Sequence, residues 1–297
     1  MAIGVDLVLA PEQESVLRLR LTDLDARLRN LESVAVAFSG GADSAFLLAA
    51  AARALGTERV VAVTAVSSSL PVAELSAART YARELGVRHV TPPTHEMERE
   101  GYRANAGDRC YFCKAELVDV LRPLAAELGV ATVVTGTNAD DARAGFRPGI
   151  KAASERGAVT PLLDAGLTKA QIRLASKRWG LTTWDKPAAA CLSSRVAYGI
   201  EVTPRRLKRV ESAEVALRTL LAERGLEARD LRVRDMGDLA SVELDAALVE
   251  VIWGSDDLEV AIVEAVTRCG FPSAVVDPAG FRSGSMNELL ATPERFR

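Results

Sequence analysis

Apolar residues recur at helical spacing through residues 12–32, where Val16, Leu19, Leu21, Leu24, Leu28 and Leu31 form one stripe. The period then shortens. "SVAVAF" (33–38) is a continuous apolar, β-branched run of the kind that fills a buried strand, and "SAFLLAAAARALG" (44–56) is an Ala/Leu-rich helix closed by Gly56. The alternation continues with a strand at 59–66, a helix at 72–86, a strand at 88–92, a helix at 114–129 and a strand at 130–136. Short buried strands alternating with helices of this length predict an α/β fold: a parallel sheet with helices on both faces.

The pattern changes after residue 136. Residues 137–165 read as irregular, 167–180 as a helix and 181–202 as a long loop. A helix follows, with Thr203 as predicted N-cap and Pro204 at its first position. Two short strands, "LRVRD" and "ASVELD", a helical stretch over 245–268 and a strand at 273–277 come next. This predicts a smaller C-terminal α+β domain beside a nucleotide-binding one, with residues 1–185 in the first and 186–297 in the second.

Composition changes this picture little. Of 297 residues 48% are hydrophobic, which is core enough for two domains. The net charge of −3 gives no general attraction to nucleic acid or an anionic membrane, although "PRRLKR" (204–209) is locally basic. The N-terminus lacks the basic region and long apolar core of a secretory signal, and the longest apolar run, "AFLLAAAA" (45–52), is too short to span a bilayer. The expectation is a cytoplasmic protein. With only His89 and His95 present, histidine triads and His-rich zinc sites lack their parts, so chemistry falls to Cys, carboxylates, Lys, Arg and substrate phosphates.

The most informative stretch is "VAVAFSGGADSAFLL" (34–48). Ser39, Gly40 and Gly41 leave a strand, and Asp43 and Ser44 open a helix. Glycines let backbone approach an anion, and a helix start presents free N–H groups to it. The string is not G-x-x-x-x-G-K-[ST], the loop that carries its own phosphate-binding lysine. "VTGTNADDARAG" (134–145) follows a later strand, at the sheet edge where open α/β folds bind ligands. There Gly136, Thr137, Asn138, Asp140 and Asp141 are either a solvated turn or contacts to nucleotide and Mg²⁺.

Four cysteines remain. Cys110 and Cys113, in "GDRCYFCKAEL" (107–117), lie three apart; in a reducing compartment that favours metal or redox chemistry over a disulfide. Spacing alone does not separate a redox pair from half a zinc site. Cys191 lies in "KPAAACLSSRVAYG" (186–199), where Ser193, Ser194 and Arg195 are placed to stabilise a thiolate. Cys269, at a predicted helix end, reads as structural. On helix 203–224 Glu214 falls on the apolar stripe of Leu207, Val210, Leu217 and Leu221, where an acid needs a partner, a metal or a substrate. Alternation turns Arg232 and Arg234 to one face of their strand, which suits phosphate or carboxylate; an exposed strand face is the plain alternative.

The loop SGGADS resembles the signature of the PP-loop pyrophosphatase superfamily. With "RCYFCK", "ACLSSRVAYG", "RVR" and "VVDPAGFRSGSMNELL" (275–290), nearly the whole chain resembles the LarE family of ATP-dependent sulfur transferases. The resemblance implies that Ser39, Gly40, Gly41, Asp43 and Ser44 cradle the pyrophosphate of ATP, with Mg²⁺ near Asp43. It implies adenylation of a pyridinium biscarboxylate mononucleotide, then displacement of AMP by sulfur to give a thiocarboxylate. In one branch of the family a single cysteine, at the position of Cys191, gives up its sulfur and ends as dehydroalanine. In another, three cysteines hold a [4Fe–4S] cluster whose open iron carries sulfide. The presence of Cys110 and Cys113 beside Cys191 favours the cluster, and a zinc site that recruits Cys269 is its structural rival. Glu214, Arg232, Arg234, Arg282 and Ser285 become candidates for substrate phosphate or metal at a subunit interface of a homo-oligomer. A tRNA-thiolating enzyme and a non-enzymatic ATP-binding module are the other readings.

Overall fold

The computed structural model describes residues 10–143, 148–187, 190–282 and 284–289. The N-terminal start, residues 144 and 145 of the acidic turn motif, residues 188 and 189 before Cys191, and residues 283 and 290 of the C-terminal motif lie outside the described residues.

The elements begin with α1 (Pro11–Arg29), β1 (Val34–Ala37), α2 (Ala42–Leu55), β2 (Val60–Val63), α3 (Val72–Glu84) and β3 (Arg88–Val90). Then come α4 (Glu100–Arg103), α5 (Arg109–Glu127), β4 (Thr132–Thr135), α6 (Ala139–Arg143), α7 (Pro148–Glu155), α8 (Pro161–Asp164) and α9 (Lys169–Arg178). The remainder is α10 (Pro204–Glu223), β5 (Leu231–Asp235), β6 (Leu239–Leu244), α11 (Ala246–Trp253), α12 (Asp256–Thr267) and β7 (Ser273–Val276). The chain divides into two compact units: up to Val66, Val72–Thr94 and Lys114–Ala189 form one, and Ser67–Pro71, His95–Cys113 and the chain from Ala190 form the other.

In the first unit four parallel strands lie in the order β3-β2-β1-β4, with Val34 level with Val60 on one side and Thr132 on the other. Every residue of β1 and β2 is buried, which is why their sequences are unbroken apolar runs. α2 supplies the largest part of the core, from Ala45 to Ala51. The stripe on α1 is shifted from the expected one: Leu17, Leu24 and Leu28 are buried, whereas Val16 and Leu19 are 41% and 68% exposed. Spacings of seven and four keep Leu17, Leu24 and Leu28 on one helical face, and Val16 and Leu19 fall outside it. The segment expected to be irregular holds α6, α7 and α8, each too short to show a helical period.

In the second unit β5 and β6 pair antiparallel across a turn at Gly237, and β7 pairs parallel to β6 after α11 and α12. The helical stretch expected at 245–268 is thus two helices, divided at Gly254 and Ser255. α10 packs Leu207, Val210, Ala213, Leu217 and Leu221 into the core with Leu231, Val233, Val242 and Leu244. Among the described residues, no helix is long and apolar enough to cross a membrane.

Candidate functional site

Strand order selects a place in the first unit. β1 connects to β2 on one side and pairs with β4 on the other, so the carboxyl ends of β1 and β4 flank the point where the order reverses, the crevice in which open α/β sheets bind ligands. The loops leaving these two ends are the two motifs singled out above.

After β1, Gly40 takes the left-handed conformation at φ +74°, and Gly41 starts α2 with no side-chain cap. The first N–H groups of α2 are therefore left for an anion. Ser44 Oγ donates to the Gly41 carbonyl at 3.1 Å and accepts from Ser39 N at 3.3 Å, which closes the turn on itself. After β4, Gly136 meets this turn backbone to backbone: a Cβ on Gly136 would stand 2.9 Å from Ser44 N. Ser39, Gly40, Gly41, Ser44 and Gly136 thus come together.

Asp43 and Asn138 join them. The Asn138 side chain helps to lower the Asp43 pKa, yet Asp43 Oδ1 is buried with no hydrogen-bond partner among the described residues. Burial holds the Asp43 carboxyl above its ordinary pKa; Lys169 and Arg173 pull it back, and Asp141 pushes it further up. A buried carboxylate oxygen without a donor is where a cation fits. Four groups here also have plain structural work. Asn138 caps α6, its Oδ1 accepting from Asp140 N at 2.9 Å and Asp141 N at 3.1 Å, while Asp141 Oδ2 accepts from Asn138 N at 3.2 Å. Thr137 Oγ1 sits 3.2 Å from Thr135 Oγ1, and Asp140 accepts from Lys169 N, at the start of α9. Lys186, which sequence reasoning did not single out, reaches the turn as well: its Nζ donates to the Gly40 carbonyl at 3.0 Å.

The second unit holds the three cysteines of interest. Cys191 caps a 3₁₀ turn, Leu192–Arg195. Its carbonyl accepts from Ser194 N at 3.0 Å, Ser194 Oγ at 2.7 Å and an Arg195 Nη at 2.9 Å. Arg195 is buried and lays its other nitrogens on Glu214, at 3.0 and 3.3 Å. Glu214, the acid on the apolar stripe, therefore has an arginine partner, and also accepts from Val233 N at 3.2 Å.

Arg232 and Arg234 do share a face, and it is buried, so the exposed-face alternative falls. Arg234 grips Glu243 Oε2 at 2.7 and 2.9 Å, and Ser285 Oγ donates to the other oxygen of Glu243 at 3.0 Å. Arg232 lies 5.3 Å over the Phe281 ring; burial lowers its pKa, and the neighbouring Arg195 and Arg234 lower it further. Arg282 is exposed and pairs with Glu288 at 2.9 Å.

Cys110 and Cys113 stand in the first turns of α5, Cys110 exposed and Cys113 against the apolar core. Arg109 beside them is buried: it donates to the Ser193 carbonyl at 2.8 Å and to Asn105 Oδ1, and feels the charges of both Cys191 and Cys110. Tyr102 hydrogen-bonds Ser193 Oγ, and burial raises its pKa, with the Cys191 charge adding to the rise. Arg109, Tyr102 and Asn105 escaped sequence reasoning; the run "YRANAGDRC", five polar or aromatic residues before one cysteine, was the only signal. Cys269 donates its S–H to the Ala265 carbonyl, and burial raises its pKa, as suits a packed thiol.

Among the described residues no three Cys, His, Asp or Glu side chains form a group that could hold a metal ion, so the structure does not show the expected cluster pocket of Cys110, Cys113, Cys191 and Glu214. The reasons are local: Cys110 faces outward, Cys113 packs inward and Glu214 is taken by Arg195.

No family model matches the chain. It is 40% identical over 275 residues to an uncharacterised protein of Synechocystis, covering 93% of this chain and 99% of that protein. It is 34% identical over 267 residues to the pyridinium-3,5-bisthiocarboxylic acid mononucleotide synthase of Lactiplantibacillus plantarum, covering 90% of this chain and 93% of the relative. An uncharacterised protein of Methanocaldococcus jannaschii is 28% identical over 179 residues, 60% of this chain and 66% of its own length.

Proposed function

The chain belongs to the LarE family of pyridinium-3,5-bisthiocarboxylic acid mononucleotide synthases, and from that premise we propose that it is an AMP-forming sulfur transferase acting on a pyridinium biscarboxylate mononucleotide. A carboxylate is a poor electrophile until one oxygen becomes a good leaving group. ATP supplies that: a substrate carboxylate oxygen attacks the α-phosphorus, the bond to the β-phosphate breaks, and pyrophosphate leaves an acyl-adenylate.

The first unit, read as a PP-loop nucleotide domain, carries this step. The free N–H groups at the start of α2 and the turn Ser39–Gly41 receive the β- and γ-phosphates. Mg²⁺ fits Asp43 with Asp141, because this ion takes one or two carboxylates and completes its shell with phosphate oxygens and water. When bound it offsets phosphate charge. Lys169 and Arg173 add positive potential at the same place.

The second unit carries the sulfur. The Cys191 thiolate attacks the acyl carbon, the C–O bond to AMP breaks and a thioester forms. Loss of the Cys191 α-proton then breaks the Cβ–S bond, leaving the substrate thiocarboxylate and a dehydroalanine. Ser194 and Arg195 hold the Cys191 backbone for this, and Arg232 and Arg234 offer buried positive charge to the anionic substrate.

The unpartnered Asp43 oxygen beside the uncapped start of α2 carries the reading. Its test is direct. Purified protein with ATP, Mg²⁺ and the biscarboxylate is expected to release pyrophosphate and AMP and to form thiocarboxylate, read by mass spectrometry. Cys191→Ala is expected to keep ATP binding and lose the thiocarboxylate. No pyrophosphate from the wild-type protein would end the adenylation reading, and wild-type thiocarboxylate yield from Cys191→Ala would remove Cys191 from it.

A further inference from the structure

The turn Ser39–Gly41 has no lysine within its own motif. One arrives from 146 residues away. Lys186 Nζ donates to the Gly40 carbonyl at 3.0 Å and to Glu74 Oε2, in the first turn of α3, at 2.7 Å. The backbone of Lys186 is itself held: its carbonyl accepts from an Arg173 Nη at 2.8 Å, and its N–H donates to the Thr183 carbonyl at 3.2 Å. With side-chain exposures of 20% and 22%, Lys186 and Glu74 form a seated pair rather than a solvated one.

Its effect passes through a peptide plane. The amide is planar and trans, so the Gly40 carbonyl and the Gly41 N–H point in opposite directions. Tying the carbonyl to Lys186 turns the Gly41 N–H to the other side, where it faces Ser39 Oγ at 3.5 Å. Gly40, at φ +74° and with no side chain, has nothing of its own to fix that plane.

The preceding turn of chain shows the same device. The Phe38 carbonyl accepts from Thr64 Oγ1 at 2.7 Å, and Thr64 Oγ1 lies 2.8 Å from His89 Nε2. The single Thr64 proton is spent on Phe38, so His89 is the donor to Thr64. Burial, with Arg79 nearby, lowers the His89 pKa and favours the neutral ring for that role. The Phe38 and Gly40 carbonyls, on the residues flanking Ser39, are thus both pinned, and the N–H groups across those two peptide planes turn the other way, Ser39 N toward Ser44 Oγ at 3.3 Å and Gly41 N toward Ser39 Oγ.

We infer that Lys186, seated on Glu74, is a positioning residue for the pyrophosphate half of ATP, acting through the Gly40 peptide rather than by touching phosphate. The inference rests on the nucleotide reading above. Calorimetric titration of the full chain with pyrophosphate, ATP and AMP separates the two.

Lys186→Met is expected to bind pyrophosphate and ATP about tenfold to a hundredfold more weakly, the worth of one hydrogen bond to a charged group, and AMP nearly as before. Lys186→Arg, whose fork reaches both partners, is expected to recover most of the loss. Glu74→Gln is expected to weaken pyrophosphate too, because the ammonium loses its seat. Unchanged or tighter pyrophosphate binding by Glu74→Gln would overturn the inference, since a freed ammonium would then be binding phosphate itself. Equal losses for AMP and pyrophosphate in Lys186→Met would overturn it as well, as a general structural role. If Lys186→Met does not fold, Lys186→Arg and Glu74→Gln decide. Wild-type protein that binds neither ATP nor pyrophosphate overturns the nucleotide reading, whereas wild-type affinity in all three variants overturns only the role of Lys186.

Discussion

Gly136→Ala is the sharpest probe of the two loops as one device. The added carbon would lie 2.9 Å from Ser44 N, 3.0 Å from Ser44 Cα and 3.2 Å from the Asp43 carbonyl carbon. All three are backbone atoms, so no rotamer change relieves the contact. Carbon atoms rest at about 3.5–4.0 Å, so the loop after β4 and the start of α2 must part by about half an ångström. Overpacking of this kind costs about 1–3 kcal/mol. The catalytic loss is expected to exceed what that figure suggests, because a misplacement of about 1 Å can lower a rate by ~100-fold. Urea unfolding and pyrophosphate release on the same preparations test both expectations. Gly254→Ala is the control: its backbone sits at φ −78° and the nearest atom to its new carbon is 3.5 Å away, so a change within about 0.5 kcal/mol is expected. A Gly136→Ala protein with the wild-type midpoint and wild-type pyrophosphate release would refute the claimed backbone contact.

Other expectations follow from the same two sites. Burial raises the Asp43 pKa, so the native state takes up that proton more readily than the unfolded chain, and the charged carboxylate destabilises the nucleotide-free protein above its folded pKa. Asp43→Asn should therefore melt higher than wild type at neutral pH, with the gap closing as pH falls through that pKa, while losing the stabilisation that Mg²⁺ and ATP confer; thermal melts across pH check it, and a lower melting point at neutral pH would contradict it. The double variant Cys110→Ser, Cys113→Ser should still form thiocarboxylate once per chain, because these thiols share no metal pocket with Cys191 among the described residues. Loss of product in that variant, together with about four irons per wild-type chain, would restore the cluster.

The strand–helix alternation was legible because a parallel sheet buried on both faces needs unbroken apolar strands, and β1 and β2 are such runs. The turn at Ser39–Ser44 was legible for a similar reason: its geometry is local. Elements too short for a period, α6 to α8, were not. Neither was Lys186, whose role exists only through Gly40, 146 positions earlier. Alternation placed Arg232 and Arg234 on one face but could not say that β5 is buried on both. The same gap explains the cluster expectation: i, i+3 spacing puts Cys110 and Cys113 near one another and leaves open where a third sulfur stands. That segments 67–71 and 95–113 group with the second unit also lies beyond any linear reading.

The turn at Cys191 is held through the Cys191 carbonyl and not through its sulfur. Three donors hold the carbonyl, and no described hydrogen bond involves Sγ. Desulfurised chains would then keep the contour of fresh ones and go on occupying substrate. A preparation partly exhausted in this way would titrate with its ligands as a full population while turning over as a fraction of one, so binding stoichiometry and yield should drift apart as the protein ages in use.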